Sequence, residues 1–475
     1  MATDNPSAAA RSGEWIPFLV LIFVALAWLY RTPYQASGLE VPPDAVEYAV
    51  APLQLLETGH YEILLEGRPL PPRYPPWFST LVIAPAYLLF GHEPGNAILP
   101  ITLSGVAGVG FAWAIGRRLS SAAGGVFAGL GVLAIPTYSF WGSEVMSDVP
   151  CTSLMLGCGW LYLKLVERPP SARRELFAGL LVAIAMLFRP VFAAMTLPFL
   201  LGFWRQPKGF RRIALFLIPL AAAAIASALY NRAAFGSPWR NGYHFWTPVP
   251  SDYPSLTFSL AYVRTNLWVV GHTALPVLIG VIALAWIILK ATSWNVAPQA
   301  SRQRLLQFLF FVVLTTGPIL VFHLFYFFPT DRFHLPLLAG TAVIAGSLVG
   351  LLVGERWTRL LNLLLPVLLL LAVIYRVLTP EPAPARRVAA DQIRQQTPAN
   401  AVVLSAIDPV YLERLAAAGS SRRIVPLSRR VEYASKVIAP RRIDHPNPPP
   451  ANWHDHRASS LAAEDRKSTR LNSSH

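Results

Sequence analysis

Charged residues and cysteines are scarce in this sequence of 475 residues. Only 14% of the residues are Asp, Glu, Lys or Arg, whereas an ordinary soluble domain contains about 25%. Together with a hydrophobic content of 54%, this shortage excludes an ordinary soluble protein and indicates an integral membrane protein. The only two cysteines, Cys151 and Cys158, lie in one apolar segment without metal-ligand spacing. This excludes a disulfide framework and predicts that both are small packing residues.

Acidic residues are scarcer than basic residues: the sequence has 25 Asp and Glu and 40 Lys and Arg, which gives a net charge of +15. Such an excess can indicate nucleic-acid binding. Here, however, the basic residues fall in short clusters between apolar runs, as they do in the cytoplasmic loops of membrane proteins. We therefore predict no nucleic-acid partner and a multi-pass protein with one strongly basic side.

Long apolar runs predict an all-α polytopic fold of about eleven transmembrane helices, because each can cross about 30 Å of hydrocarbon. The run 176–204 is broken at Arg189-Pro190 and counts as two spans. The run 77–90 is short and contains proline, so we expect an interfacial helix that does not cross. The predicted spans are 15–31, 97–116, 124–141, 149–166, the two halves of 176–204, 211–230, 267–289, 305–328, 334–353 and 359–376.

The distribution of Lys and Arg assigns the sides of these spans. Basic clusters at 117–118, 164–174 and 205–212 fall on one side, whereas the loop 142–148 on the other side has no basic residue. Because basic short loops face the cytoplasm, we expect a cytoplasmic N-terminus, residues 1–14, and an extracytoplasmic C-terminus.

Domain boundaries follow from the same patterns. We expect a transmembrane domain at 15–376, with a first outer loop at 32–96. A small extracytoplasmic α/β segment is predicted at 377–440, where RRVAADQIRQQ and PVYLERLAAAG have helical patterns and AVVLSAI and RRIVPL are strand-like. Residues 441–475 have no periodicity, and we expect them to be disordered or a truncated or artefactual tail without function.

Two acidic motifs lie near predicted span ends on the outer side. In PPDAVEY, Asp44 and Glu47 have capping-box spacing. A carboxylate fixed at a helix start is also well placed to act as a base, and the spacing leaves both roles open. In GSEVMSDVP, Glu144 and Asp148 either solvate a tight turn, with Asp148 as a helix cap, or hold a divalent cation or sugar hydroxyls.

Three arginines on the outer side are candidates for anion binding: Arg73 before Pro75-Pro76, Arg189 at the broken span, and Arg332 in DRFHLP. The planar guanidinium group matches the geometry of phosphate. The alternative for each is an arginine that reaches the membrane interface with its charged end.

The order of several motifs resembles the GT-C glycosyltransferases, in particular bacterial family 39, which is related to protein O-mannosyltransferases and aminoarabinose transferases. The resemblance covers about 30 to 436. It rests on PPDAVEY, GHYE, RYPPWFSTLVIAPAYLLFG, GRRL, SEVMSD, FRP, NRAAFGSPWRNGY and DRFHLP. Many relatives have two adjacent acids in the first loop, whereas Ala45 follows Asp44 here.

This resemblance implies a glycosyltransferase of the bacterial inner membrane. It would move a sugar from a polyprenyl-phosphate donor to a hydroxyl of a lipid, glycan or protein acceptor, with inversion. Asp44 would be the catalytic base, with Glu47 beside it, and Glu144 or Asp148 the second-loop acid. The other implied roles are lipid-phosphate binding by Arg332, Arg189 and Arg73, sugar or acceptor binding by Tyr48, His60, Tyr61, Tyr74, Tyr243 and His244, and a possible Mg²⁺ or Mn²⁺ ion.

Two other functions compete with this one. A lipid or solute transporter predicts inverted repeats and ionisable residues at mid-membrane depth, but the hydropathy pattern shows no duplication and the charges gather at the outer ends of the spans. A non-catalytic relative that only binds polyprenyl phosphate would share the fold. The sequence favours the enzyme.

Overall fold

The structure is a computed structural model that describes residues 15–41, 43–290, 298–353, 356–379 and 382–427. The predicted segments 1–14 and 441–475 lie outside these ranges. The longer helices are Trp15–Leu29, Asp44–Thr58, Ile98–Leu119, Ala122–Leu133, Asp148–Glu167, Ala172–Phe188, Thr196–Trp204, Gly209–Phe235, Val263–Thr273, Leu275–Lys290, Gln299–Leu324, Leu335–Val353, Arg356–Leu378 and Ala385–Gln396.

Short helical pieces connect the longer helices. They are the α-helical turns Pro33–Ala36, Pro76–Phe78, Ala84–Phe90, Pro136–Trp141, Gly242–Trp246, Pro248–Ser251, Pro254–Thr257 and Pro409–Leu412, the 3₁₀ turns Pro94–Ala97, Pro190–Met195, Leu260–Tyr262 and Asp331–His334, and the π turns Ser79–Ile83 and Glu413–Ala417. Strands β1 (Ile63–Leu65) and β2 (Arg68–Leu70) pair antiparallel, and strands β3 (Val402–Ser405) and β4 (Arg423–Pro426) pair parallel.

Within the described ranges, five helices are long and apolar enough to cross a membrane. They are Pro94–Leu119, Asp148–Glu167, Gly209–Phe235, Gln299–Leu324 and Asp331–Val353. The helices Leu260–Thr273 and Leu275–Ile287 meet at 52° and make a sixth if they form one broken span. The first, third and last predicted spans and the second half of 176–204 contain shorter apolar helices, so the count of eleven stays a prediction.

Prolines divide several of the predicted apolar runs. Residues 124–141 form Ala122–Leu133 and Pro136–Trp141 rather than one helix, because Pro136 has no N–H to donate to the preceding turn. The predicted break at Arg189 is confirmed, since Ala172–Phe188 ends there and a 3₁₀ turn begins at Pro190. This break leaves the Arg189 side chain at the end of a helix.

Close helix packing in the apolar core depends on small residues. Gly346 in Leu335–Val353 lies against the backbone of Ala128 in Ala122–Leu133, and a Cβ added at Gly346 would stand 2.3 Å from the Ala128 nitrogen. Gly116 approaches Gly124 in the same way, with 2.5 Å between an added Cβ and the Gly124 carbonyl oxygen. Such contacts let helix backbones approach closely where lipid leaves little hydrophobic driving force between them.

The part of the predicted α/β segment that is described, residues 382–427 and hereafter the C-terminal segment, has the predicted order of helix, strand, helical turns and strand. It lies on the first loop. The Tyr411 hydroxyl donates to the Ser37 carbonyl at 2.9 Å, and the Arg386 guanidinium donates to the Leu39 carbonyl at 2.7 Å. These contacts fix the C-terminal segment beside the helix that carries Asp44.

Candidate functional site

The helix Asp44–Thr58, hereafter the first-loop helix, places the first pair of carboxylates. It begins at Asp44 and ends at Gly59, whose φ of +79° is a left-handed conformation that glycine adopts without strain. The predicted capping box is wrong, because Pro43 occupies the N-cap position and no side-chain cap hydrogen bond forms. Asp44 and Glu47, which are 7% and 1% exposed, bind other partners instead.

Asp44 lies between two arginines. Arg73 Nη2 is 2.5 Å from its Oδ1, and Arg332 Nη2 is 3.0 Å from its Oδ2. Burial by itself raises the pKa of Asp44, but Arg73 and Arg332 more than offset this effect, and the pKa is lowered from its ordinary value. Asp44 is therefore a carboxylate at neutral pH, with one guanidinium on each oxygen.

Glu47 fixes the chain that carries Arg73. Its Oε2 accepts hydrogen bonds from the backbone N–H groups of Arg73 at 2.5 Å and Tyr74 at 3.3 Å, and its Oε1 is 3.5 Å from Arg73 Nη2. Gly242 packs so closely on Arg73 that an added Cβ would lie 2.2 Å from the Arg73 carbonyl oxygen. The Arg73 backbone is thus held on two sides, which positions its guanidinium on Asp44.

A third carboxylate, Asp148, lies between Arg189 and Arg332. Arg189 Nη2 is 2.6 Å from Asp148 Oδ2, and Arg189 Nε donates to the Ser147 hydroxyl at 2.9 Å. Arg332 Nη1 is 4.0 Å from the same Asp148 oxygen. Arg332 therefore bridges Asp44 and Asp148, which are far apart in the sequence.

We call these six side chains the arginine–carboxylate cluster: Asp44, Glu47, Asp148, Arg73, Arg189 and Arg332. Three carboxylates face three guanidinium groups, so the formal charges sum to zero. The six side chains come from separate sequence motifs and meet in the fold. They are carried by the first-loop helix, the loop after β2, the start of Asp148–Glu167, the break at Pro190 and the turn Asp331–His334.

A narrow pocket of about 10 Å³, partly open to solvent, borders the cluster. Its polar lining is Asp148, Thr152, Arg189, His323 and Arg332, and its apolar lining is Val191, Phe192, Ile319, Phe333 and Pro336. Two arginines beside apolar side chains are suited in charge and polarity to a phosphate group attached to a hydrocarbon chain.

His323 is a pocket residue that the sequence reasoning missed. Its Nδ1 donates to the Ile319 carbonyl at 2.7 Å, and its ring stacks on Phe333 with 3.9 Å between centroids. The sequence signal that could have identified His323 is an ionisable residue near the end of a long apolar run. Only the fold shows that it lies beside the arginines.

Aromatic side chains form one wall of the cluster. Tyr48 stacks on Tyr74 with centroids 4.4 Å apart, and Tyr243 meets the Tyr74 ring edge-on at 5.8 Å. The Arg73 guanidinium lies 4.8 Å from the Tyr74 ring centroid and 5.6 Å from that of Tyr243. Tyr48, Tyr74 and Tyr243 thus lie beside the cluster, and their role in sugar or acceptor binding stays a prediction.

The remaining predicted residues are less close to the cluster. Tyr61 lies near the Tyr74 backbone, and its hydroxyl donates to the Ser79 hydroxyl at 3.2 Å. His60 is exposed just after the first-loop helix, and His244 completes a capping box with Asn241. Glu144 binds Arg31 at 2.7 Å instead of joining Asp148.

The predicted divalent cation does not fit the placement of these acids. No group of three His, Cys, Asp or Glu side chains able to hold a metal ion occurs in the described ranges. Glu144 and Asp148 each have an arginine at ion-pair distance, where a cation would otherwise stand.

Known membrane proteins share the fold of this chain. The structure resembles ArnT from Cupriavidus metallidurans bound to undecaprenyl phosphate, with a TM-score of 0.56 and 16% identity over 92% of this chain and 89% of that chain. Residues 72–231 match the family model of dolichyl-phosphate-mannose-protein mannosyltransferases. The chain has the GT-C fold. The predicted resemblance to GT-C glycosyltransferases and the predicted fold class are thereby confirmed.

A second structure with this GT-C fold is the archaeal oligosaccharyltransferase AglB from Archaeoglobus fulgidus, in complex with an inhibitory peptide and a dolichol-phosphate. Its TM-score is 0.50 and its identity 11%, over 88% of this chain and 65% of that chain. No curated protein matches the sequence. The family match includes Arg73, Asp148 and Arg189, whereas Asp44 and Arg332 lie outside it and join them through the fold.

Proposed function

We propose that this GT-C protein transfers a sugar from a polyprenyl-phosphate donor to an acceptor hydroxyl at the extracytoplasmic face of a bacterial inner membrane, with inversion. The observation that carries the proposal is Asp44 held between Arg73 and Arg332 beside the pocket that Arg189 and Arg332 line. The lipid phosphates bound to the ArnT and AglB structures support the donor class.

The donor phosphate would bind between Arg189 and Arg332, and the narrow pocket that they line would widen to admit it. Both guanidinium groups already contact Asp148, and each has more N–H donors than these contacts use. A phosphate can therefore add to, or replace, their carboxylate contacts. Arg332, which spans from Asp148 to Asp44, would connect the donor phosphate with the base.

Asp44 would act as the general base. The acceptor hydroxyl loses its proton to Asp44 as its oxygen bonds the anomeric carbon, and the bond from that carbon to the phosphate oxygen breaks with its electron pair remaining on the phosphate. The arginines stabilise the charge that develops there. A single displacement of this kind inverts the anomeric configuration.

Donor binding would also activate the base. With both arginines on its oxygens, Asp44 has a lowered pKa and is a weak base. When Arg332 turns towards phosphate, Asp44 loses one of the two positive partners, and its pKa rises towards the ordinary value. The order of events would then be donor first and acceptor second.

Positive charge at this site comes from the protein itself, so we propose no step through a metal ion. Three arginines lie within ion-pair distance of the cluster carboxylates. This is the charge complement that leaving-group phosphate requires.

The test is sugar transfer in proteoliposomes from polyprenyl-phosphate mannose, with a panel of lipid and glycan acceptors. Asp44→Asn removes the base and retains the side-chain shape, so transfer should fall by about two to four orders of magnitude. Glu93→Gln, an exposed carboxylate that pairs with Arg387 outside the cluster, is the control and should retain transfer. Unchanged transfer in Asp44→Asn would refute the base assignment. Donor binding without transfer by the parent protein would favour a non-catalytic lipid-phosphate binder.

A further inference from the structure

A second pocket lies between the first-loop helix and the C-terminal segment. Its volume is about 240 Å³, below that of pockets for drug-sized ligands, so we expect a smaller ligand. Its lining comes from three parts of the chain: Val50 and Gln54, Leu64 of β1, and residues between 410 and 422. It contains no residue of the arginine–carboxylate cluster.

The pocket lies along the same helix face as the cluster. Val50 and Gln54 follow Glu47 by three and seven residues, a spacing that places all three on one side of an α-helix. Seven residues of helix rise about 10 Å. A ligand in the pocket is therefore one or two turns from the carboxylates of the cluster, within reach of an extended acceptor.

A carboxylate oxygen with unused hydrogen-bonding capacity lies in the lining. Glu413 Oε1 accepts from the Gly67 N–H at 3.1 Å, which fixes the side chain. Its Oε2 is buried and has no hydrogen-bond donor among the described residues. Burial raises the pKa of Glu413, which agrees with a carboxyl oxygen that lacks a donor. A buried oxygen of this kind is suited to a ligand O–H or N–H group.

The two arginines of the pocket are already neutralised or satisfied. Arg414 forms a double ion pair with Glu57, with two N···O distances of 2.5 Å. Arg422 donates to the carbonyls of Thr397 at 2.7 Å and Arg394 at 3.0 Å. Neither guanidinium therefore requires an anionic ligand, and both oppose a cationic one.

The rest of the lining is mixed. Val50, Leu64, Val410 and Ala417 are aliphatic, whereas Gln54 and Ser420 offer an amide and a hydroxyl. The lining comes from a helix, a strand and turns, not from the single exposed strand edge to which a peptide binds by strand addition. An uncharged ring with hydroxyl groups on its edge and C–H groups on its faces matches such a lining.

We propose that this pocket binds a sugar unit of the acceptor, with a sugar hydroxyl donating to Glu413 Oε2, so that the acceptor is a glycan or glycolipid. This inference rests on the proposed function and specifies its acceptor class. The C-terminal segment would then select the acceptor, while the arginine–carboxylate cluster binds the donor.

The test uses the full-length protein in nanodiscs and saturation-transfer NMR with neutral disaccharides: mannobiose, chitobiose and cellobiose. Glu413→Gln keeps the side-chain shape and a carbonyl oxygen for Gly67 but presents an amide donor in place of Oε2. Ala418→Trp fills the pocket from an exposed position in its lining. Each change should weaken binding of the disaccharide that binds best by roughly tenfold. Gln395→Trp, exposed on Ala385–Gln396 outside the pocket, should leave binding unchanged.

Three results would overturn the inference: no signal from any disaccharide, equal binding in both pocket variants, or displacement of the disaccharide by a Ser-containing tripeptide that binds more tightly. Hydrolysis of polyprenyl-phosphate mannose by water separates this failure from failure of the proposed function. The pocket variants should retain that hydrolysis, whereas Asp44→Asn should lose it.

Discussion

Replacement of Arg332 by methionine tests whether the cluster controls the basicity of Asp44. Arg332 Nη2 is 3.0 Å from Asp44 Oδ2, and both side chains are only 10% exposed. Two unit charges about 4 Å apart interact by about 4 kcal/mol at an effective dielectric constant of 20. Because Arg73 remains on the other oxygen, we expect a smaller net effect: the pKa of Asp44 should rise towards its ordinary value.

The sign of the pH dependence follows from this rise. A carboxylate whose pKa is lowered on folding adds stability above its unfolded pKa, and this stability is lost as the pH falls through the folded pKa. In the Arg332→Met protein, acid unfolding should therefore begin at a higher pH. The free energy of unfolding at neutral pH should fall by roughly 2 to 3 kcal/mol.

The assay is infrared titration of the protonated carboxyl band in nanodiscs, with Asp44→Asn subtracted to isolate the Asp44 signal. Arg31→Met is the matched control, because it removes the arginine of the Glu144 pair outside the cluster and should leave the Asp44 titration in place. An Asp44 midpoint in Arg332→Met equal to that of the parent would refute the proposed control of the base by Arg332.

Three further predictions concern other parts of the molecule. Gly346→Val should lower the melting temperature and reduce the free energy of unfolding by about 2 kcal/mol or more through overpacking, because its Cβ would meet the Ala128 backbone. Gly280→Val is the control, since an added Cβ there has nothing within 4 Å. Equal melting temperatures for the two variants would contradict the close packing at Gly346. The hydrogen bond and charge of Arg414 lower the pKa of the half-exposed Glu57 despite partial burial. Because solvent screens this pair, Glu57→Gln should lower the free energy of unfolding at neutral pH by only about 0.5 kcal/mol. In acid unfolding curves, the difference from the parent should vanish below the folded pKa of Glu57. Arg189→Ala should raise the KM for the lipid donor by roughly tenfold or more. Arg304→Ala is the control, because Arg304 pairs with Glu167 away from the cluster, and it should leave this KM unchanged. Equal KM values for the two variants would exclude Arg189 from donor binding.

Much of the architecture could be predicted from the sequence because it depends on local patterns. Apolar runs locate the helices, Pro190 marks the broken span, and the alternation of patterns after 384 predicts the C-terminal segment. The division of 124–141 at Pro136 was missed because the residues on both sides of this proline are apolar. Hydropathy therefore shows one continuous run, although Pro136 has no N–H group to continue the helical hydrogen bonds.

The site was harder to predict, since its partners are distant in the sequence. Asp44 and Glu47 have the spacing of a capping box. No neighbouring residue in the sequence indicates that Asp44 instead forms ion pairs with Arg73 and Arg332. Asp148 and Glu144 lie in one short motif, yet each binds a different arginine. Residue types at the membrane edge identified the candidates, and tertiary packing decided which of them meet.

The equal numbers of carboxylates and guanidinium groups in the arginine–carboxylate cluster also determine how the site responds to dissolved ions. Without net charge, the cluster exerts little long-range electrostatic steering on anions in the surrounding water. An anion must instead compete with Asp44 and Asp148 at contact distance for Arg332. Free inorganic phosphate has no hydrocarbon chain to hold it in the membrane beside these groups, whereas a lipid-linked phosphate is kept at high local concentration there. The balanced cluster thus favours membrane-bound ligands over soluble ones.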